Sequence, residues 1–145
     1  MPSFQRSATA AVPPEEVWKV LYDPTRFPQW WAGIETVEVK TLPASTGEPT
    51  SYTMYPAGYP DFPMPQQLQT APAQQSVVIS CLVSDLRFEW RLEPLDGGRA
   101  TRISVHVDIP PAESHRLETQ RHIIDASITR LAHVAAADRT SEQGK

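Results

Sequence analysis

What the sequence lacks excludes several classes of protein. Cys81 is the only cysteine in 145 residues, so no disulfide can form within the chain. No run of lysine and arginine is present, which argues against a nucleic-acid partner or an anionic membrane surface. No apolar run approaches the roughly 20 residues of a membrane span, and the N-terminus MPSFQRSATA lacks the regions of a signal peptide. We therefore expect a cytoplasmic protein without integral membrane contact.

What is present is typical of one globular domain. Apolar residues make up 40% of the chain, charged residues 21%, and the net charge is −4. The length fits a single domain, which we place over residues 1–137, followed by a flexible polar tail over residues 138–145. The 15 prolines are near twice the average usage of about 5%. Seven of them lie between Pro43 and Pro72, which indicates a loop-rich region there.

Three antiparallel strands are predicted between Ser76 and Ile109. The glycines of Asp96-Gly97-Gly98-Arg99 suit a two-residue hairpin loop. Folding at this loop gives apolar pairs on one face and charged or polar pairs on the other. The apolar pairs are Leu92–Ile103, Trp90–Val105, Phe88–Val107 and Leu86–Ile109, and the outer pairs are Glu93–Arg102, Glu89–His106 and Arg87–Asp108. A weaker turn at Ser84-Asp85 predicts a third strand, with the pairs Val83–Leu86, Cys81–Phe88, Ile79–Trp90 and Val77–Leu92.

Helices are predicted on both sides of the strand region. The segment Val12-Pro13-Pro14-Glu15-Glu16 is typical of a helix start, and Asp23-Pro24 starts a second short helix that ends at Trp30-Trp31. From Ala112 to about Ala136 the chain has neither glycine nor proline. One helical stripe there contains Leu117, Ile124, Ile128, Leu131 and Ala135. About 25 residues give a helix of about 37 Å, which is long enough to cross a sheet.

The remaining segments complete an α+β arrangement. Alternation predicts strands at Ser3 to Ala10, which we place at a sheet edge, at Ile34 to Thr41 and at Thr50 to Tyr55. Met64 to Ala71 fits a strand in length, but its glutamines hide the inward face and the pattern assigns none. Pro56 to Pro63 is predicted to be a loop. The order of elements predicts a curved antiparallel sheet wrapped around the last helix.

Several landmarks accompany this order of elements: Val12-Pro13-Pro14-Glu15-Glu16-Val17-Trp18, Leu21, Asp23-Pro24, Phe27-Pro28, Trp30-Trp31, Phe88, Trp90, Leu92 and Gly97-Gly98. With these landmarks, the chain resembles the START/birch-pollen-allergen-like (SRPBCC) superfamily, and within it the polyketide cyclase/dehydrase group. The resemblance implies a helix-grip fold: a curved seven-stranded antiparallel sheet around a long C-terminal helix, with two short helices between strands 1 and 2. It also implies an apolar cavity between sheet and helix. The superfamily includes enzymes, lipid carriers and chaperone activators, so the fold alone names no reaction.

We expect this cavity to bind a small hydrophobic molecule. Its predicted lining comprises Trp31, Tyr52, Met54, Tyr59, Phe62, Cys81, Phe88, Trp90, Val105, Val107, Gln120, Ile124, Ser127, Ile128 and Leu131. Within this set, the four residues Phe88, Trp90, Val105 and Val107 are predicted to line a hollow roofed by Ile124 and Ile128. Gln120 and Ser127 are expected to orient the ligand through hydrogen bonds. Tyr59 and Phe62, on a proline-stiffened loop, are expected to gate the entrance.

Candidate catalytic and metal-binding residues are few. Glu35 shares strand parity with Val37, so it could act as a general base at the cavity mouth, although a glutamate at a strand start is more often in water. Cys81 is interpreted as a buried small hydrophobe, because no cation or base is predicted beside it. The four histidines point away from the apolar faces, so we expect no metal site and no cofactor.

Three functions remain open from the sequence. The first is binding of a polyketide-like or aromatic molecule. The alternative is a polyketide cyclase or dehydratase that uses the same cavity to orient its substrate. A chaperone-activator type of protein-binding module would need an exposed apolar patch, which the charged outer face disfavours. The oligomeric state stays open.

Overall fold

The computed structural model describes residues 3–39, 49–59, 61–71, 73 and 75–143. The strands are β1 Ser3–Ala10, β2 Ile34–Glu38, β3 Thr50–Pro56, β4 Met64–Ala71, β5 Ser76–Cys81, β6 Arg87–Leu95 and β7 Ala100–Asp108. The α-helices are α1 Pro14–Leu21, α2 Phe27–Trp30 and α3 Leu117–Gln143. Short 3-10 turns lie at Pro24–Arg26, Asp96–Gly98 and Pro111–Arg116.

The strands form one antiparallel sheet of seven strands in the order β1-β7-β6-β5-β4-β3-β2. The first strand lies at an edge of this sheet, as predicted. Two short helices connect β1 to β2, and the long helix α3 packs on β1 and on α1. This architecture confirms the predicted helix-grip fold.

The β6–β7 hairpin has the predicted register. Six of the seven predicted pairs, from Glu93–Arg102 to Arg87–Asp108, are observed; the seventh, Leu86–Ile109, lies beyond the end of the ladder. The loop is longer than expected: Leu95 pairs with Ala100, so four residues rather than two make the connection. Gly97 and Gly98 have φ of +66° and +89° in this loop, values that glycine adopts without strain.

The β5–β6 pairing lies two residues from the predicted register. The observed pairs are Ser76–Arg91, Val77–Trp90, Val78–Glu89, Ile79–Phe88 and Ser80–Arg87. The Cys81 N–H donates to the Leu86 carbonyl at 2.8 Å and closes a wider loop over residues 82–85, in which Asp85 takes a φ of +61°. A shift of two keeps the inward face unchanged, but Val83 lies exposed in the loop instead of inside.

The region that the sequence pattern left unassigned is strand β4. Met64, Gln66, Leu68 and Thr70 point inward and are buried, while the residues between them are exposed. The pattern was obscured because two of the four inward positions are polar.

Helix α3 confirms its predicted inward stripe. Ile124, Ile128, Leu131 and Ala135 are buried, and Leu117 is half-buried. The helix continues past its predicted end to Gln143, and Asp138 Oδ2 lies 2.6 Å from a guanidinium nitrogen of Arg26. The flexibility predicted for residues 138–145 stays a prediction.

An aromatic cluster fixes the short helix α2 between α1 and the sheet. Trp30 is fully buried, and its indole N–H donates to the Val20 carbonyl at 3.3 Å. Its ring centroid lies 5.2 Å from that of Trp90 in an edge-on contact. Trp31 packs edge-on against Phe88 at 5.0 Å. These contacts hold the Trp31 ring at the inner face of the sheet.

Candidate ligand-binding cavity

A cavity of about 370 Å³ lies between the start of α3 and the inner face of strands β2 to β6. This volume is in the usual range for small-molecule sites. The sheet contributes Ile34, Tyr52, Met54, Pro56, Met64, Gln66, Cys81 and Phe88. Helix α3 and the connecting segments contribute Trp31, Ala32, Gly33, Ala57, Tyr59, Ser84, Leu86, Arg116, Thr119, Gln120 and Ile123.

The structure brings together about half of the predicted ligand-binding residues. Those that line the cavity are Trp31, Tyr52, Met54, Tyr59, Cys81, Phe88 and Gln120. Those that lie in the buried core without lining it are Trp90, Val105, Val107, Ile124, Ser127, Ile128 and Leu131, and Phe62 lies exposed in its loop. Of the six residues predicted to surround the hollow, Phe88 alone lines this cavity, and the other five are buried in the core.

Trp30 explains the displacement of the cavity. This side chain occupies the centre of the sheet face, against Trp90, where the sequence predicted empty space. The cavity therefore begins on the far side of Trp31, whose ring stacks on Trp30 with centroids 5.3 Å apart. Helical spacing alone did not indicate which of the two consecutive tryptophans would fill the core.

Glu35 does not lie at the cavity, contrary to the expectation from strand parity. The β2–β3 register shifts between Ile34 and Thr36, which makes Glu35 the extra residue of a bulge. The bulge turns Ile34 and Val37 inward and leaves Glu35 exposed. The described residues that line the cavity include no carboxylate and no histidine; their ionisable side chains are Tyr52, Tyr59, Cys81 and Arg116.

Ser127 has a structural contact in place of the predicted ligand contact. Its hydroxyl donates to the Ile123 carbonyl at 2.6 Å and accepts from the Ala32 N–H at 2.9 Å. The next residue, Gly33, accepts from the Ala57 N–H at 2.9 Å. These hydrogen bonds connect α3, the segment after α2 and the end of β3, and so build one wall of the cavity.

The floor of the cavity carries a row of polar side chains. Tyr52, Gln66 and Cys81 are directly opposite one another on β3, β4 and β5, and each is at most 4% exposed. Burial, and then the neighbouring Cys81, raise the pKa of Tyr52 well above its usual value. Tyr52 therefore keeps its proton and remains a hydrogen-bond donor. The Gln66 side-chain nitrogen has no hydrogen-bond partner among the described residues.

Several residues that line the cavity were not predicted from the sequence. Gln66 and Met64 were missed because the inward face of β4 was not recognised, although their spacing of two carried that signal. Ser84 and Leu86 were missed because the turn between β5 and β6 was predicted at the wrong residues. Ile123 adjoins the predicted stripe of α3 and was not assigned to it.

Exposed apolar side chains lie in two loops of the sheet, and one of them lines the cavity. Tyr59 lines the cavity and is 67% exposed, and Phe62 in the same loop is 57% exposed. Leu82 and Val83 are also exposed, and the Leu82 N–H donates to the Pro65 carbonyl at 3.0 Å. The loop over residues 82–85 therefore lies beside the start of β4, which directly follows the loop that carries Tyr59 and Phe62. The geometry of Tyr59 is consistent with the predicted gate, which stays a prediction.

Two further searches of the described residues were negative. No group of three or more His, Cys, Asp or Glu side chains in that part of the chain is placed to hold a metal ion. Among the described helices, none is long and apolar enough to cross a membrane.

Comparison with solved structures shows the same fold. The Zhui aromatase/cyclase from Streptomyces sp. R1128 is 16% identical, with a TM-score of 0.78 over 93% of this chain and 93% of that chain. The protein XoxI from Bacillus cereus is 11% identical, with a TM-score of 0.74 over 94% of this chain and 96% of that chain. The di-domain ARO/CYC BexL from the BE-7585A biosynthetic pathway is 12% identical, with a TM-score of 0.72 over 92% of this chain and 46% of that chain.

Family membership follows from the sequence match. No curated protein matches the chain. The family described as polyketide cyclase / dehydrase and lipid transport matches residues 1–136, which is nearly the whole chain. The protein therefore belongs to the polyketide cyclase/dehydrase and lipid transport family.

Proposed function

We propose that this protein binds a small hydrophobic molecule, polyketide-like or aromatic, in the cavity between α3 and the sheet. The observation that carries the proposal is the cavity itself, with the aromatic walls of Trp31 and Phe88 and the few polar groups on its floor. Small-molecule sites typically combine such an apolar lining with a small number of polar contacts. Family membership supports the same class of ligand.

The chemistry of the lining favours binding over acid–base catalysis. General acid–base catalysis needs a titratable group within hydrogen-bond reach of the substrate. Tyr52 is held in its neutral form by burial, and Arg116 pairs with Glu113 at 2.7 Å. The described lining residues therefore supply hydrogen-bond donors and apolar surface, and they include neither a carboxylate nor a histidine, the side chains that most often act as general bases.

A polyketide cyclase or dehydratase is the second candidate. The observation that favours it is the similarity in fold to structures named as aromatase/cyclases. In that case the cavity would hold a flexible chain in a reactive geometry, and the rate gain would come from orientation. Formation of a cyclised product from a poly-β-ketone in the presence of the protein, and not with buffer alone, would select this function. The cytoplasmic location expected from the sequence stays a prediction.

The binding proposal is tested by closing the cavity from its exposed side. Thr119 lines the cavity and lies on the exposed face of α3, so Thr119→Trp should fill the mouth without disturbing the core. His122→Trp is the matched control, because His122 is also exposed on α3 but does not line the cavity. The measurement is thermal shift with a panel of aromatic polyketides, quinones, fatty acids and sterols, together with native mass spectrometry of the purified protein.

We expect at least one class of ligand to raise the melting temperature of the wild type and of His122→Trp, because a ligand that binds the native state stabilises it. Thr119→Trp should lose that shift. Equal shifts in all three proteins would place the bound molecule outside the cavity and contradict the proposal.

A further inference from the structure

Gln66 presents an unsatisfied donor at the floor of the cavity. The residue is 4% exposed, and its amide nitrogen has no hydrogen-bond acceptor among the described residues. Buried polar groups in native proteins nearly always have partners, so each exception needs an explanation. A ligand in the cavity that Gln66 lines is the explanation that the geometry offers. The last side-chain torsion of glutamine is soft, so the amide can turn its N–H groups towards such a ligand.

Tyr52 supplies a second donor beside the first. Tyr52 and Gln66 are directly opposite each other on β3 and β4, which places their Cβ atoms about 5 Å apart. Both side chains line the cavity. Because burial holds the phenol in its protonated form, its hydroxyl can donate. A carbonyl oxygen has two lone pairs and can accept both hydrogen bonds.

The charges around the cavity favour a ligand whose hydrogen-bond acceptor is uncharged. The cationic side chain among the described lining residues is Arg116, which lies before α3 and pairs with Glu113 at 2.7 Å. The floor itself carries Tyr52, Gln66 and Cys81, none of them a cation. A carboxylate buried there would lose its hydration without gaining a counter-charge, which is strongly unfavourable.

We propose that Gln66 and Tyr52 form a donor pair that binds the carbonyl oxygen of an uncharged ring-bearing ligand, such as an aryl ketone or a quinone. This inference rests on the proposed function and narrows its ligand class. The rings lie against Trp31 and Phe88, which line the same cavity, and the carbonyl oxygen points to the floor.

The test uses two probes of the same shape on the intact protein. 9-Fluorenone and fluorene have the same three fused rings. Fluorenone has a carbonyl group at the position where fluorene has a methylene group. Dissociation constants for both are measured by tryptophan fluorescence or calorimetry in the wild type, Gln66→Met and Tyr52→Phe. The ratio of the two constants within one protein removes the difference in solubility between the probes.

We expect the preference for fluorenone over fluorene to fall by between about threefold and tenfold in each variant, which is the effect of one hydrogen bond of ordinary net strength. Gln67→Met is the matched control, because Gln67 is exposed on the outer face of the same strand, and its ratio should equal that of the wild type. Unchanged ratios in both cavity variants would overturn the inference and leave the proposed function intact.

Two other outcomes would also overturn it. Tighter binding of 9-fluorenol than of fluorenone would mean that the Gln66 amide presents its oxygen to the ligand. If the wild type binds neither probe, the inference that the ligand is an aryl ketone is refuted. The proposed function is refuted as well only if no compound of the wider panel shifts the melting temperature.

Discussion

Replacing Gln66 with methionine should stabilise the protein in the absence of ligand. The amide nitrogen is buried and has no partner in the part of the chain that the structure describes, and a buried donor without a partner costs about 1–3 kcal/mol. Methionine has the same chain length without the polar group and adapts to irregular gaps. We therefore expect the free energy of unfolding to rise by about 1–3 kcal/mol. For a chain of 145 residues this corresponds to a rise in melting temperature of roughly 3–10 °C.

The assay is urea denaturation followed by tryptophan fluorescence, with the midpoint and slope fitted separately. Gln67→Met is the control and should change stability by less than about 0.5 kcal/mol, since Gln67 is exposed. A loss of about 1 kcal/mol or more in Gln66→Met would refute the reasoning, because it would mean that the amide is satisfied within the fold. The same variant should show a weaker preference for a carbonyl ligand, so stability and binding should change in opposite directions.

Three further predictions concern the cavity mouth, its wall and its floor. Tyr59→Ala should change ligand on-rate or affinity, measured by stopped-flow fluorescence, more than melting temperature, because Tyr59 is exposed and lines the cavity; Phe62→Ala, exposed but not lining it, should act more weakly. Ser127→Ala should lower the free energy of unfolding in urea by about 1–3 kcal/mol, since a backbone N–H loses its acceptor. Tyr52→Phe should reduce the loss of stability at alkaline pH. The pKa of Tyr52 is raised in the folded protein, so its contribution to the free energy of unfolding is complete below the pKa of an unfolded tyrosine, near 10. Above that pH the contribution falls by about 1.4 kcal/mol per pH unit.

Each of these predictions has a clear contrary result. A large drop in melting temperature with unchanged ligand kinetics would make Tyr59 structural. Thr129→Ala is the control for Ser127→Ala, because Thr129 is exposed and its hydroxyl donates within α3, to the Asp125 carbonyl at 3.1 Å; equal effects of the two would contradict the role of Ser127. Parallel stability curves for the wild type and Tyr52→Phe between pH 9 and 11 would show that Tyr52 ionises freely.

Local pairing made much of the fold predictable. The β6–β7 register is fixed by apolar pairs on one face and by charged pairs such as Glu93–Arg102 on the other, and a slip of one residue would break both. The position of α3 follows from one apolar stripe. The weaker turn at Ser84-Asp85 did not fix the β5–β6 register, because four residues close that loop.

The site was less predictable because it depends on contacts between distant elements. The direction of Trp30 decides where the cavity lies, and that direction is set by Trp90 and by the Val20 carbonyl. The bulge at Glu35 reversed the parity from which a general base was expected. The unpartnered amide of Gln66 became visible only once β4 was placed beside β3 and β5.

The most direct measurement is the electron density of crystals grown with 9-fluorenone. We predict density for three fused rings between Trp31, Phe88 and Ile123, with the carbonyl oxygen within hydrogen-bond distance of the Gln66 amide. Ring density on the outer surface of the sheet, or a cavity that stays free of the probe in a protein shown to bind it, would contradict the assignment of this cavity as the binding site.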